Sequence, residues 1–225
     1  MRPDGTNRRQ LTYGPPGLDK RLVTWAPGGQ FIAYTQDKRD SGRPSGRHST
    51  VWVTKLVGNK ESHELTAGFI CNPGPPPEFC FHNVDADGDV IDGQPVLDAG
   101  AAFWSPTGNN IIFWSGLEGI GGQIWSIASN GKHRDQLTFP AKPPSGQRYP
   151  NNDDPRWAPD AKKIVFSTNR QNEQVPAPPA PCIPNPVPVP CGLMFVMNAD
   201  GSDQHFVAWN SFSPFPGNAA WHPVP

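Results

Sequence analysis

Trp104–Thr138, WSPTGNNIIFWSGLEGIGGQIWSIASNGKHRDQLT, reads as one structural unit, and the rest of the chain repeats it with interruptions. Trp104-Ser-Pro106 ends a short apolar run, Thr107-Gly108-Asn109 supplies turn chemistry, and Ile111–Trp114 has the make-up of a buried strand. After a Gly-rich break, Gln123–Ile127 reads as a second strand, Ser129-Asn130-Gly131 as a tight turn between antiparallel neighbours, and Arg134–Thr138 as an outer strand. Together these make a four-stranded antiparallel meander of about 40 residues, the period of a propeller blade.

Working outward, the Trp-x-Pro corner recurs at Trp25-Ala-Pro27, Trp157-Ala-Pro159 and Trp221-His-Pro223. Ile32 and Tyr34, Ile111 and Phe113, and Ile164 and Phe166 follow the first three prolines at the same offsets. Alternate residues of a strand share a face, so each pair is expected to line one side of a blade. A second pattern, an apolar strand, a Gly turn and a polar strand, appears at Val51–Thr66, Ile124–Thr138 and Met194–Ala208. It also opens the chain: Met1–Thr12, MRPDGTNRRQLT, matches Met197–Ala208, MNADGSDQHFVA, position for position.

These residues resemble the β-propeller repeats of the TolB family, also called PD40 repeats. The likeness rests on WAPGGQFIAY, WSPTGNNIIF, WAPDAKKIVF, VMNADGSDQ and the recurring QLT, and it covers nearly the whole chain outside the insertions. The family's Asp-Gly turn survives only as Gly28-Gly29, Thr107-Gly108 and Asp160-Ala161. The resemblance implies an all-β propeller and a binding role. A propeller of this type normally has six blades, whereas this chain supplies about three complete blades and a part of one at each terminus. The expected architecture is therefore one domain over 1–225 that forms an incomplete ring or a ring completed by another chain. Insertions fall at 67–100 and 171–191, and Asp37–Ser49 reads as an exposed, mobile polar loop. The position of Met1 inside a repeat is also what a fragment of a longer protein would show.

Composition narrows the function classes. With 23 Gly and 29 Pro, long helices are not expected, and a net charge of −1 lacks the basic excess of a nucleic-acid-binding surface. No apolar run approaches the 18 or so residues of a transmembrane helix. Four cysteines allow three pairings, and the local one, Cys71 with Cys80 and Cys182 with Cys191, is favoured because each pair closes a short Pro-rich loop. Disulfides imply a periplasmic or extracellular location; buried free thiols are the alternative. The run VPAPPAPCIPNPVPVPC at 175–191 is expected to be extended and polyproline-like.

One acidic loop has metal-ligand spacing. Asp85, Asp87, Asp89 and Asp92 place carboxylates at close intervals, and the main-chain oxygen of Ile91 adds a further hard ligand, a set that suits calcium. The loop resembles the DxDGDxxD loops of calcium-stabilised extracellular domains. It departs from an EF-hand, with Val90 at loop position six and Val96 in place of the bidentate Glu at position twelve. A solvated acidic turn is the alternative. No GxSxG, HExxH or Gly-rich phosphate loop occurs, and the six histidines are scattered. Trp52, Trp114, Trp125 and Trp209 read as inter-blade packing, or else as a carbohydrate or peptide surface. The leading expectation is a non-enzymatic module that binds a protein partner or assembles with itself through open strand edges. The alternative is the propeller part of an enzyme, either a hydrolase accessory domain or a lyase with its active site at the central channel.

Overall fold

The three described Trp-x-Pro corners, at Trp25, Trp104 and Trp157, turn the chain in the same way. The N–H groups of Gly29, Gly108 and Ala161 donate to the carbonyls of Ala26, Ser105 and Ala158 at 3.0, 2.9 and 2.9 Å. All three residues are left-handed, with φ of 69°, 77° and 59°. Gly takes that conformation freely, while Ala161 holds it at a cost of about 1 kcal/mol. The corner reverses direction, and the alternating apolar residues that follow form the second strand of each sheet.

A computed structural model of the protein describes residues 4–14, 17–39, 41, 47–58, 61–66, 70–71, 80–81, 98–117, 121–139, 150–170 and 192–210. The first sheet consists of β1 (Leu18–Trp25), β2 (Phe31–Arg39), β3 (Arg47–Lys55) and β4 (Ser62–Glu64). A two-stranded ladder, β5 (Ile70–Cys71) and β6 (Cys80–Phe81), follows it. The second sheet is β7 (Asp98–Trp104), β8 (Asn110–Leu117), β9 (Gly121–Ala128) and β10 (Arg134–Gln136). The third is β11 (Asn152–Trp157), β12 (Lys163–Thr168), β13 (Gly192–Asn198) and β14 (His205–Asn210). In all three the strands lie in chain order and neighbours are antiparallel, the meander expected of a blade.

The sheets bury their faces against one another. Ala33, Val51, Val53 and Leu65 of the first meet Ile111, Phe113, Trp125 and Ile127 of the second in one cluster. Ile112, Ile124 and Leu137 then meet Ile164, Phe166, Phe195 and Met197 of the third in another. Each large side chain so buried stabilises the stack by roughly 2 kcal/mol. Each expected pair shares one face of its blade, Ile32 and Tyr34 with Leu56 in the first, Ile111 and Phe113 at the first joint, Ile164 and Phe166 at the second, and the three described blades do not close a ring.

Two boundaries differ from expectation. β7 begins at Asp98, inside the segment read as an insertion to Gly100. Its Asp-Ala-Gly-Ala-Ala run lacks bulk because the neighbouring blade leaves no space: a Cβ on Gly100 would lie 3.3 Å from the Thr35 side chain. The polar Asp37–Ser49 loop is also shorter than expected, since Asp37–Arg39 and Arg47–Ser49 extend β2 and β3. Asp37 is only 3% exposed because the Arg21 guanidinium, contributing donors at 2.7 and 3.2 Å, neutralises it in place. Burial pushes the Asp37 carboxyl up, but Arg21, Ser49 and Arg47 outweigh it and hold the group below the usual carboxylate range.

A feature of the innermost strands was not expected at all. In β1, β7 and β11 the register slips by a bulge three residues before the tryptophan. Leu22, Ala101 and Asp154 there share positive φ values of 54°, 50° and 47°.

Candidate functional site

The residues that close each blade also bind it to the next. After β3, Val51 N–H donates to the Thr66 hydroxyl at 2.9 Å and Leu65 N–H to the Val51 carbonyl at 2.8 Å. After β9, Ile124 N–H donates to the Thr138 hydroxyl at 2.9 Å and Leu137 N–H to the Ile124 carbonyl at 2.8 Å. This Leu-Thr hook anchors the closing segment to the third strand and turns the leucine into the following blade, where Leu65 and Leu137 are 1% and 4% exposed. The following blade grips the hook in return: Arg134 donates to the Leu65 carbonyl, and Gln204 to that of Leu137 at 2.9 Å. Arg134, drawn out of water beside Glu64, is pushed down to about 10 by burial, against which the Glu64 charge acts.

Residues 4–12 repeat this construction. Thr6 N–H donates to Asp4 Oδ1 at 2.9 Å, as Lys132 does to Asn130 at 3.0 Å and Ser202 to Asp200 at 2.9 Å. Gly5, Gly131 and Gly201 have φ of 81°, 81° and 85°, and Asn7, His133 and Asp203 have φ of 53°, 51° and 53°. The Gln10 side chain donates to the Thr12 carbonyl at 2.8 Å, and Gln136 to that of Thr138 at the same distance. Leu11 packs on Ile32, Tyr34 and Leu56, the face of the first blade that corresponds to the seats of Leu65 and Leu137. Residues 4–14 contain no strand, and among the described residues none pairs with 8–12.

The same edge exposes the first corner tryptophan. Trp104 packs at the first joint with its ring 6.4 Å from Phe31, and Trp157 packs on the core of the second joint. Trp25, at the same place in the first blade, is 56% exposed. At the other end of the array Val207 occupies the leucine position and is 51% exposed, and Ala208 replaces the hook threonine.

The second joint is polar on its inner side. Asn151 Oδ1 accepts from Trp114 Nε1 at 3.1 Å and from Gly122 N–H at 2.6 Å. Arg170 donates to Asn152 at 2.7 Å and to Gln204 at 2.9 Å, and burial pushes it down to about 10. Arg156 lies 3.5 Å over the Phe103 ring, with its guanidinium lowered by burial. Burial raises Asp153, the Asp154 charge adding to it, and burial likewise raises Asp154. A cavity of about 380 Å³ opens at the corner of the first joint, lined by Phe31, His63 and Trp104 among others.

The residues singled out in the sequence fare unevenly. Cys71 and Cys80 are Cα partners across the β5–β6 ladder. Cys182, Cys191 and the calcium candidates Asp85, Asp87, Asp89, Ile91 and Asp92 lie outside the described residues. Trp125 belongs to the core of the first joint and Trp114 is pinned to Asn151, both inter-blade positions, while Trp52 packs on Ile32, Tyr34 and Leu56 within the first blade. The side chain of Trp209 lies outside the description. Among the described residues no group of three or more His, Cys, Asp or Glu is gathered for a metal, and no helix is long and apolar enough to cross a membrane.

Repeated four-stranded sheets, stacked face to face through matching corners and hooks, decide the architecture. The fold is that of a β-propeller. No family model matches the chain, and no curated protein matches it. Among solved structures the chain is similar to a putative TolB from Agrobacterium tumefaciens, at 17% identity over 81% of this chain and 62% of that one, with a TM-score of 0.35. It is similar to an oligogalacturonate lyase in complex with manganese, at 10% identity over 87% of this chain and 43% of the lyase, with a TM-score of 0.49. The β-propeller domain of the Trilobed protease from Pyrococcus furiosus is similar at 13% identity over 87% of this chain and 45% of that one, with a TM-score of 0.47. The propeller chain thus spans between 43% and 62% of the length of these proteins.

Proposed function

We propose that this propeller is a non-enzymatic binding and assembly module of the periplasm or the extracellular space, working through the open edge of its first blade. The observation that carries this reading is Trp25. Trp104 and Trp157, the other described tryptophans of the same corner, are packed at joints, whereas Trp25 leaves more than half of its surface in water. A large exposed aromatic beside Val23, which is also exposed, is the kind of apolar surface that proteins use for contacts. The compartment is supported by the Cys71–Cys80 register, which aligns the two cysteines of one expected disulfide. Intact mass measured before and after reduction tests that part, an unchanged mass removing it.

Sedimentation velocity over a wide concentration range tests the assembly. Association that grows with concentration and is lost in Trp25→Ser is the expected result. A single monomer boundary at every concentration overturns self-assembly through this edge.

A further inference from the structure

The walls of the cavity at the first joint depart from the repeat that builds it. Buried Val53 and half-buried Phe31 and Trp104 form its floor, while Gln30, His63 and Ser129 stand at its rim. Counted from the corner prolines, Phe31 corresponds to Asn110 of the second blade. By strand register the Val53–His63 pair corresponds to Ser126–Asp135. The first blade thus has an aromatic ring, an aliphatic side chain and an imidazole where the second has an amide, a hydroxyl and a carboxylate. A blade forms with either set, so the fold alone does not call for the first.

We propose that this cavity binds a neutral mono- or disaccharide. None of the described residues lining it is an aspartate, glutamate, lysine or arginine, so nothing there offsets the desolvation of an ion. The Phe31 and Trp104 rings, 6.4 Å apart and tilted by 40°, leave no slot for a flat ring, which needs about 7 Å between two faces. They form a tilted platform instead, and its negative ring faces attract the C–H groups of a puckered sugar. At the rim, the side chains of Gln30, His63 and Ser129 make no hydrogen bond among the described residues. An amide, a neutral imidazole and a hydroxyl each both donate and accept, which is what sugar hydroxyls require of their partners. The volume of about 380 Å³ lies near the lower end of the range for small-molecule sites. Trp25 does not line the cavity, so this site is independent of the assembly edge.

The test is isothermal titration of the 225-residue chain with maltose, lactose and chitobiose, and with galacturonate and phenol as charged and flat aromatic probes. The expected result is saturable binding of a neutral disaccharide with Kd on the order of 1 mM. Phe31→Asn, which puts the second blade's side chain at the platform, weakens it about tenfold, and His63→Ala about fivefold through loss of one hydrogen bond. His63 is exposed, so its truncation leaves the fold intact and keeps the test decisive where Phe31→Asn disturbs packing. No saturation by any of these sugars, or equal affinity in wild type and both variants, overturns the proposal. So does tighter uptake of galacturonate or phenol than of every neutral sugar. Sugar binding is unchanged in Trp25→Ser, which separates this site from the self-association that the same variant tests.

Discussion

Leu137 and Leu11 hold the same position in the repeat, yet the surroundings of the two differ. Leu137 is sealed between the second and third blades, its N–H on Ile124, its carbonyl taken by Gln204, its side chain among Ile164 and Phe166. Leu11 has the side-chain seat, on Ile32 and Tyr34, and is only half-buried. Gly201 and Gly5 differ in the same sense. A Cβ on Gly201 would meet the Leu137 carbonyl at 2.7 Å, whereas one on Gly5 would meet nothing nearer than the Arg8 side chain at 4.0 Å. The difference teaches that local sequence sets the shape of the closing turn, while the burial and hydrogen bonding that give it stability come from the adjacent sheets.

That comparison can be broken by truncating the two leucines. Leu137→Ala should cost about 3 kcal/mol of unfolding free energy in urea titration, and Leu11→Ala about 1 kcal/mol. Equal losses would mean that the first-blade edge is as complete as the second joint. The two glycines sharpen it further. Both have left-handed backbone, so alanine costs about 1 kcal/mol at each, but Gly201→Ala adds the collision with Leu137 and should reach about 2 kcal/mol by the same measurement. The smallest effect has the opposite sign: Ala161→Gly relieves the left-handed alanine of the third corner and should raise stability by about 1 kcal/mol. An unchanged or lowered transition midpoint there would show that the corner is not strained.

Most of the blade architecture was legible, because the sequence signals and the packing have the same cause. Proline and tryptophan mark the corner, and the residues five and seven places on from the proline alternate because one face is buried. The closing turn at 4–12 was legible by its match to Met197–Ala208, and the structure reproduces it to the level of single hydrogen bonds. The inner bulges were not legible, since Leu22, Ala101 and Asp154 share a conformation but no side-chain chemistry. Nor was the start of β7, whose small residues fit the space left by Thr35 and carry no strand signal of their own. The buried Asp37 reads as loop because its partner Arg21 lies on a different strand, and a pairing at that separation has no local signature.

The Leu-Thr hook puts the covalent repeat and the packing repeat out of phase. By chain order Leu137 ends the second sheet, but by contact it belongs to the third. A protein engineer who trims or transplants this array at sheet boundaries would therefore leave an orphaned leucine on one product and an empty socket on the other. A cut placed in the Asn130-Gly131 turn, upstream of the Leu137-Thr138 hook, would leave the third blade carrying its own lid.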